Sequence, residues 1–312
     1  MVQAYSADGL ETMKAIVNNP DGPAVTAVDD PRPGSGEALV AVRAFSINRG
    51  ELDLLQTRTD RWRPGQDIAG AVVEQAADGS GPAAGTRVVA LVEQAGWAEF
   101  AAVPTGRLAP LPAEVEIEQA AALPLAGLTA LRTLRLAGDL LGRRVLVTGA
   151  NGGVGRIQIQ LAALAGAEVT AVARAQHEKE LLALGASSVV ADPSAAGGLY
   201  DLVADWAGGP SLAAGLGKAA PRGTVILGSS NTEKTPINIY DFFGHEGARV
   251  VSYLSYAYPE PPGPDLTTLA GLVAASRLDP VVGLTVPWTR LRDALTALAG
   301  RRISGKAVLT IG

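Results

Sequence analysis

One stretch of the chain changes its hydrophobic pattern twice within a short distance. A β-branched apolar run at 145–148 predicts a strand, and the small residues after it predict a tight turn. Apolar residues between 157 and 164 then recur at helical spacing, and Gly166 marks the end of that helix. A second apolar run at 169–172 predicts the next strand. The pattern therefore predicts a β-α-β unit of the length that dinucleotide-binding folds use.

The turn of this unit carries a spaced glycine pattern. Ala150, Gly152 and Gly155 occupy the three positions of G-x-G-x-x-G, with alanine in place of the first glycine. Gly152 lets the backbone approach a pyrophosphate, Gly155 lets the helix pack closely on the strand, and the helix N-terminus presents free N–H groups to the anion. A glycine-rich turn in some other doubly wound protein is the alternative. The predicted cofactor turn consists of Ala150, Asn151, Gly152, Gly153, Val154 and Gly155.

The end of the second strand bears on which dinucleotide binds. An NAD site usually has an acidic residue there to accept a hydrogen bond from the ribose 2′-OH, whereas this strand ends in Ala173 and Arg174. A charge-assisted contact from Arg174 to a 2′-phosphate would contribute roughly 1.5–3 kcal/mol. We therefore predict NADPH rather than NADH. The alternative is that Arg174 is a solvated loop cation.

The patterns on either side of this unit differ. Before residue 124, short alternating strands are broken by proline and glycine, which predicts a β-rich lobe. After residue 174, apolar runs recur at 189–192, 200–206, 223–228 and 249–256 with room for helices between them, which predicts a parallel, doubly wound sheet. From residue 279 the strand, helix and strand pattern indicates a tail that returns to the first lobe.

Composition agrees with a two-lobed globular enzyme. The 312 residues are 47% hydrophobic and 18% charged, with a net charge of −5, so nothing indicates a nucleic-acid surface. The chain has no cysteine, which excludes disulfides and thiolate metal sites. Neither a signal peptide nor a membrane-span pattern is present, so we expect a cytoplasmic protein that binds no membrane. Residues 1–12 are predicted to be a flexible N-terminal extension.

Several segments after Met13 carry a family resemblance. They include INRGELDLL, PGQDIAG, GTRVVAL, ALPLAGLTALRTL, ANGGVG and GKAVLTI. In this order they resemble the zinc-independent, quinone oxidoreductase-like branch of the medium-chain dehydrogenase/reductase superfamily. The resemblance implies a GroES-like catalytic domain over residues 13–124 and 257–312, and a Rossmann NADP(H)-binding domain over residues 125–256.

The chain departs from the zinc-dependent relatives at the metal ligands. Those enzymes carry Gly-His-Glu where this chain has Gly65, Gln66 and Asp67, and they use cysteines as further ligands. A Gly-His-Glu-Gly string does occur at 244–247, but it is far from that position, so we expect no metal. Zinc would stabilise an alkoxide, whereas a quinone or an α,β-unsaturated carbonyl spreads the charge of an added hydride over a conjugated system. Hydrogen bonds and a proton source then suffice.

The resemblance also implies roles for individual residues. It puts Asn48 near the nicotinamide, with the acid Glu51 three residues on, and Asp53 where many members carry a tyrosine. Gln66 is expected to donate to a substrate oxygen. The remaining cofactor residues that it implies are Thr129, Arg174, Gly228 and Ser229. The alternatives are a capping role for Asn48, a structural hydrogen bond for Gln66 and, for Thr129, a hydrogen bond to its own helical turn.

Two classes of function remain open. The first is an NADPH-dependent, metal-free reductase of quinones or enones, with enoyl reduction included. The second is a catalytically silent NADPH-binding protein that serves a structural or regulatory role, which Asp53 favours. A metal-dependent alcohol dehydrogenase fits poorly because the cysteines and the aligned histidine are missing. The apolar strand at 249–256 predicts a homodimer, since family members commonly pair this strand with its copy.

Overall fold

The computed structural model describes residues 12–228 and 233–312. The predicted N-terminal extension therefore lies outside the described residues, except Thr12, which begins the first strand. No helix within these ranges is long and apolar enough to cross a membrane.

The N-terminal part of the chain is rich in short strands, as predicted. Proline and glycine interrupt the apolar runs often enough that no strand there exceeds the one at Glu37–Ile47. The elements are β1 (Thr12–Asn19), β2 (Gly22–Asp29), β3 (Glu37–Ile47), α1 (Arg49–Thr57), β4 (Asp67–Glu74), β5 (Arg87–Leu91), β6 (Phe100–Pro104), β7 (Leu108–Pro110) and α2 (Ile117–Ala121).

The middle of the chain alternates helices and strands. The elements are α3 (Pro124–Leu136), β8 (Arg144–Val147), α4 (Gly153–Leu164), β9 (Glu168–Val172), α5 (Glu178–Ala183), β10 (Ser188–Val190), β11 (Tyr200–Asp205), α6 (Pro210–Leu216), β12 (Ala219–Leu227) and β13 (Arg249–Ser252). The six strands are all parallel, in the order β10-β9-β8-β11-β12-β13. This is the doubly wound Rossmann order, and the strand order reverses between β8 and β11. The predicted fold class is confirmed.

The C-terminal tail runs back to the first lobe. Its elements are α7 (Gly263–Ala274), β14 (Val282–Pro287), α8 (Leu291–Ala299) and β15 (Lys306–Thr310). β15 pairs antiparallel with β3 and parallel with β14, which completes a seven-stranded sheet in the order β14-β15-β3-β4-β5-β7, with β6 paired to β3. The predicted return of the tail is confirmed. The six-stranded and seven-stranded sheets both use strands from the predicted segments. The domain boundaries themselves stay a prediction.

Clusters of buried apolar side chains hold these sheets. In the β-rich lobe the Phe45 ring stacks on Trp97 at a centroid distance of 5.5 Å, and Trp288 from the tail meets the same ring edge-on. In the Rossmann lobe, Ile157 and Ile159 of α4 are fully buried against the sheet. The burial of these apolar side chains contributes most of the stability of each lobe.

One local expectation is wrong. The last strand of the parallel sheet ends at Ser252 rather than continuing to residue 256, because the chain turns after it pairs with β12. His177 is buried in a short 3-10 turn after β9, where burial, and then the charges of Arg156 and Arg174, lower its pKa.

Candidate active site

Two of the predicted site residues, Asn48 and Glu51, lie at the N-terminus of α1. Asn48 is the one residue between β3, which ends at Ile47, and α1, which begins at Arg49. The Glu51 carboxylate reaches back and accepts a hydrogen bond from the Asn48 backbone N–H at 2.8 Å. Its other oxygen accepts from the backbone N–H of Gln66 at 3.1 Å. Glu51 thereby links the start of α1 to the residue that precedes β4.

Asp67 is the centre of the cluster and is fully buried. Its Oδ2 accepts hydrogen bonds from Ser46 Oγ at 2.6 Å and from Asn48 Nδ2 at 2.9 Å. Its Oδ1 accepts from the backbone N–H of Leu125 at 2.8 Å, in the first turn of α3. A helix N-terminus and two side-chain donors stabilise a buried carboxylate, as they must where water is absent.

Lys306 supplies the positive charge that balances Asp67. Its Nζ lies 3.1 Å from Asp67 Oδ2 and 2.5 Å from Asn48 Oδ1. The side chains of Lys306 and Asp67 are 4% and 0% exposed, so this is a buried ion pair. The sequence analysis did not assign Lys306 to the site. A charged residue that opens a buried strand, as Lys306 opens β15, is the signal that could have found it.

These contacts orient the Asn48 side chain. Because Lys306 donates to Oδ1, the amide nitrogen faces Asp67, and one of its two N–H groups has no partner among the described residues. Asn48 is also the N-cap residue of α1, where it forms a capping box with Glu51. The capping role and the contacts with the buried charges therefore occur together at this residue.

The Glu51 carboxyl is buried beside a second carboxylate. Burial is the main cause that raises its pKa from 4.5 to about 8, and the charge of Asp67 raises it further. The N–H donors of Asn48 and Gln66 and the charge of Lys306 act in the opposite direction. Glu51 is therefore predominantly protonated at neutral pH.

Two other predicted residues lie at the edge of this cluster. The side chain of Gln66 is half-buried, and its backbone N–H and C=O bond to Glu51 and to Val92. Asp53 is exposed, and its charge acts on Arg49 rather than on the buried pair. The structure thus brings Asn48, Glu51 and Gln66 together but leaves Asp53 outside.

The predicted cofactor turn lies between β8 and α4, and Gly152 is the residue just before the helix. A Cβ on Gly155 would lie 2.7 Å from Ala150 Cα and 2.8 Å from the Gly149 carbonyl oxygen, so only glycine lets these backbones meet. Ala150 is buried, whereas Gly152 is exposed at the helix N-terminus. These features fit a dinucleotide pyrophosphate, which needs close backbone approach and free N–H groups.

The cofactor turn also touches the buried ion pair. Gly305 donates its backbone N–H to the Asn151 carbonyl at 3.0 Å, and Asn151 Nδ2 bonds Ser304 Oγ at 3.3 Å. A Cβ on Gly153 would lie 2.6 Å from Lys306 Cδ. The methylene chain of Lys306 therefore passes directly beside the turn, and the two halves of the site are in contact.

A second buried cation, Arg156, supports the turn and was missed in the sequence. Its guanidinium donates to Asn151 Oδ1 and to the Glu180 carboxylate, and it is nearly fully buried. The spacing of Asn151 and Arg156 across the first turns of α4 is the signal that could have found it. Arg156 holds Asn151 in place while Val154 packs on the Rossmann core.

The remaining predicted cofactor residues are spread along the sheet edge. Arg174 is exposed just after β9 and makes no ion pair with any residue in the described ranges, so its guanidinium is free. Thr129 is buried on α3, and it is Thr133 that bonds the helical turn, donating to the Thr129 carbonyl at 2.6 Å. Gly228 follows β12, and a Cβ there would enter the Trp206 ring. Ser229 lies outside the described residues.

Histidines contribute no metal centre to the part of the chain that is described. No group of three or more His, Cys, Asp or Glu residues there is placed to hold a metal ion. The Gly-His-Glu-Gly segment uses His245 Nδ1 to contact the Ala219 carbonyl at 2.6 Å.

Comparison with known proteins agrees with this geometry. The Alcohol dehydrogenase GroES-like domain matches residues 34–113, and the Zinc-binding dehydrogenase family matches residues 184–309. The chain is a member of the medium-chain dehydrogenase/reductase superfamily.

Within the superfamily, several similar proteins are quinone oxidoreductase homologues. The chloroplast envelope quinone oxidoreductase homolog of Arabidopsis thaliana is 36% identical over 57% of this chain and 62% of its own length. The chloroplastic quinone-oxidoreductase homolog of Spinacia oleracea is 28% identical over 91% of this chain and 92% of its own. A mycobacterial protein solved in complex with NADPH shares the fold, with a TM-score of 0.85 and 24% identity, and the match covers 96% of this chain and 100% of that chain. Two further solved structures match with TM-scores of 0.84 and 0.86.

Proposed function

We propose that this protein is an NADPH-dependent reductase that transfers hydride to a quinone or an α,β-unsaturated carbonyl without a metal. The observation that carries the proposal is the buried Lys306–Asp67–Asn48 array beside the dinucleotide turn. It occupies the position where zinc-dependent relatives are expected to hold their metal, and it leaves one oriented N–H group of Asn48 without a partner among the described residues.

Asn48 would bind the acceptor. As hydride adds to a conjugated carbonyl, negative charge develops on oxygen, and a donor that is already oriented lowers the barrier because nothing must reorganise. Lys306 and Asp67 keep the amide from rotating. The half-buried Gln66 amide would be a second donor at the same oxygen.

Glu51 would position these donors rather than touch the substrate. Both of its oxygens already accept backbone N–H groups, one from Asn48 and one from Gln66. It therefore sets the distance between the two residues that would bind the carbonyl oxygen. The proton that completes reduction would come from solvent.

The Rossmann lobe would hold NADPH, which supplies the hydride when bound. Gly152 and Gly155 leave room for the pyrophosphate at the N-terminus of α4, and Thr129 and Gly228 would border the nicotinamide. The free guanidinium of Arg174 would bind the 2′-phosphate and favour NADPH over NADH. The NADPH-bound mycobacterial neighbour supports this choice.

The direct test is oxidation of NADPH, with NADH in parallel, against a benzoquinone, a naphthoquinone, an enone, an enoyl thioester and a plain aldehyde. We expect turnover of the conjugated acceptors with NADPH preferred. Turnover of the aldehyde alone would contradict the metal-free mechanism. Tight NADPH binding without turnover of any acceptor would instead support a silent, structural or regulatory binding protein, the candidate that Asp53 in place of a tyrosine favours.

We also propose that two copies associate through β13. This strand pairs only with β12 among the described residues, so its other edge has unpaired backbone groups. Large apolar side chains are exposed around it: Ile239, Tyr240, Phe243, Val250, Leu254 and Tyr256. An exposed strand edge that is flanked by an apolar patch favours pairing with a second copy.

A further inference from the structure

The segment that joins α1 to β4 contains three arginines within six residues, Arg58, Arg61 and Arg63. None of the three makes an ion pair, or donates a side-chain hydrogen bond, to any residue within 12–228 or 233–312. Asp60 lies in the same segment but pairs with none of them. Arg132 and Arg135, by contrast, both contact Asp265. We refer to residues 58–63 as the arginine loop.

The backbone of the arginine loop is held firmly. The buried Asn18 side chain donates to the carbonyls of Leu55 at 2.8 Å and Arg58 at 2.7 Å, and its backbone N–H donates to the Trp62 carbonyl at 2.7 Å. The Arg63 carbonyl accepts from the Ala95 N–H at 2.9 Å. The positive charges are therefore held together by a rigid backbone.

Arg63 is half-buried, whereas Arg58 and Arg61 are exposed. The Nε atom of Arg63 is buried and has no hydrogen-bond partner in the described part of the chain, and burial lowers the pKa of its guanidinium. Arg58 instead lies over the Trp62 ring, with its Cζ 5.4 Å from the ring centroid. A half-buried cation without a counterion is unfavourable, and an anion bound beside it would remove that cost.

The base of the loop is at the candidate active site. The Gln66 N–H binds Glu51, so the chain leaves the site along α1 and returns to it at Gln66. Arg63 precedes Gln66 by three residues, so their Cα atoms are at most roughly 10 Å apart. This separation is small enough for an anion at Arg63 to belong to the molecule whose carbonyl binds at Asn48.

We propose that the arginine loop binds an anionic group on the acceptor substrate, a carboxylate or a phosphate, that is separate from the reducible carbonyl. Arginine suits both anions because its planar guanidinium donates two parallel hydrogen bonds to them. The inference rests on the proposed function, since it assumes that the acceptor binds at Asn48. It narrows the substrate to conjugated acceptors that carry a negatively charged tail.

The test uses three naphthoquinones with the same alkyl chain, which ends in a carboxylate, a phosphate monoester or the methyl ester of the carboxylate. For the unaltered chain we expect a KM for one or both anionic probes about tenfold below that of the ester, with similar kcat. Arg63→Met should abolish the difference, and Arg63→Lys should restore part of it. Arg277→Met removes an exposed arginine from the end of α7 and should leave the difference intact. Thermal unfolding checks that each variant folds.

Binding of the probes without NADPH, followed by calorimetry, separates this inference from the proposed function. Turnover of all three probes with equal KM would overturn the anionic tail and leave the reductase proposal standing. If no probe is turned over, preferential binding of an anionic probe that is lost in Arg63→Met would still support the loop as an anion site. Equal binding of acid, phosphate and ester would overturn it. Of the two anions, the one that binds more tightly identifies the tail.

Discussion

Lys306 and Asp67 form a buried ion pair between residues 239 positions apart, with Nζ 3.1 Å from Oδ2. The pair ties β15, at the end of the chain, to the start of β4. Its lysine chain also borders Gly153 of the cofactor turn. One contact therefore joins the substrate side of the site to the cofactor side.

Removing the positive partner should destabilise the fold. Lys306→Met would leave Asp67 buried without its counterion, which costs about 3–5 kcal/mol in the free energy of unfolding. Urea unfolding measures it, and Lys179→Met, at an exposed lysine, is the control that should change little. Adding Asp67→Asn to Lys306→Met should recover part of the loss. A loss below about 1 kcal/mol would mean that the pair contributes no more than a surface contact.

Stability should depend on the ionisation of Glu51. Its pKa is raised from 4.5 to about 8 in the folded protein, so between these values the folded state keeps a proton that the unfolded state has lost. The stabilisation is complete below pH 4.5 and is lost as the pH rises through about 8, with a slope of at most about 1.4 kcal/mol per pH unit.

Glu51→Gln removes this titration. The variant should be less stable at low pH, because an amide nitrogen cannot accept the second backbone N–H, but its free energy of unfolding should fall less steeply with pH. Urea midpoints across this range measure both slopes, with the exposed Glu114→Gln as the control. Parallel curves for Glu51→Gln and the unaltered chain would contradict the raised pKa.

Gly155 should tolerate no side chain. Gly155→Ala would press a methyl group against the backbone of Ala150 and Gly149, which costs about 1–3 kcal/mol in stability and weakens NADPH binding. Gly271→Ala is matched, because that glycine also lies in a helix but has nothing within 4 Å of the added Cβ. It should gain up to about 1 kcal/mol. Calorimetric titration with NADPH and urea unfolding measure the two effects, and unchanged NADPH affinity in Gly155→Ala would count against the turn as the pyrophosphate site.

Arg174 should set the preference between the two dinucleotides. Arg174→Gln should weaken NADPH binding about tenfold to a hundredfold and leave NADH binding unchanged, since only NADPH carries the 2′-phosphate. Calorimetric titrations with both dinucleotides measure the ratio, with Lys179→Gln as the control for a nearby exposed cation. An equal loss for both dinucleotides would show that Arg174 acts elsewhere.

The edge of β13 should carry the dimer. Light scattering is expected to give twice the mass of one chain, and Val250→Lys should return the protein to a monomer because it places a charge in the apolar contact. Val25→Lys is the matched control: Val25 is 42% exposed and Val250 is 37% exposed, but Val25 lies on β2. A monomeric unaltered chain would overturn the proposed association.

Local sequence patterns were enough to predict the main elements and their order. The strand at 145–148, the glycine turn and the helix at 157–164 form one local unit, so short-range periodicity was enough to predict β8, α4 and β9. The same reasoning predicted the return of the tail to the first lobe. It failed for the last strand of the parallel sheet, which ends at Ser252, because the end of that strand depends on how distant elements pack.

The arrangement of the candidate site, in contrast, depends on contacts between distant parts of the chain. Asn48 followed from the resemblance, but the direction of its amide depends on Lys306, which no local pattern connects to it. The sequence also could not show that Arg63 has no counterion among the described residues, because an acidic partner could come from any distant part of the chain. Periodicity reports which side of an element is buried, whereas ion pairs and free charges depend on which distant residues the fold brings together.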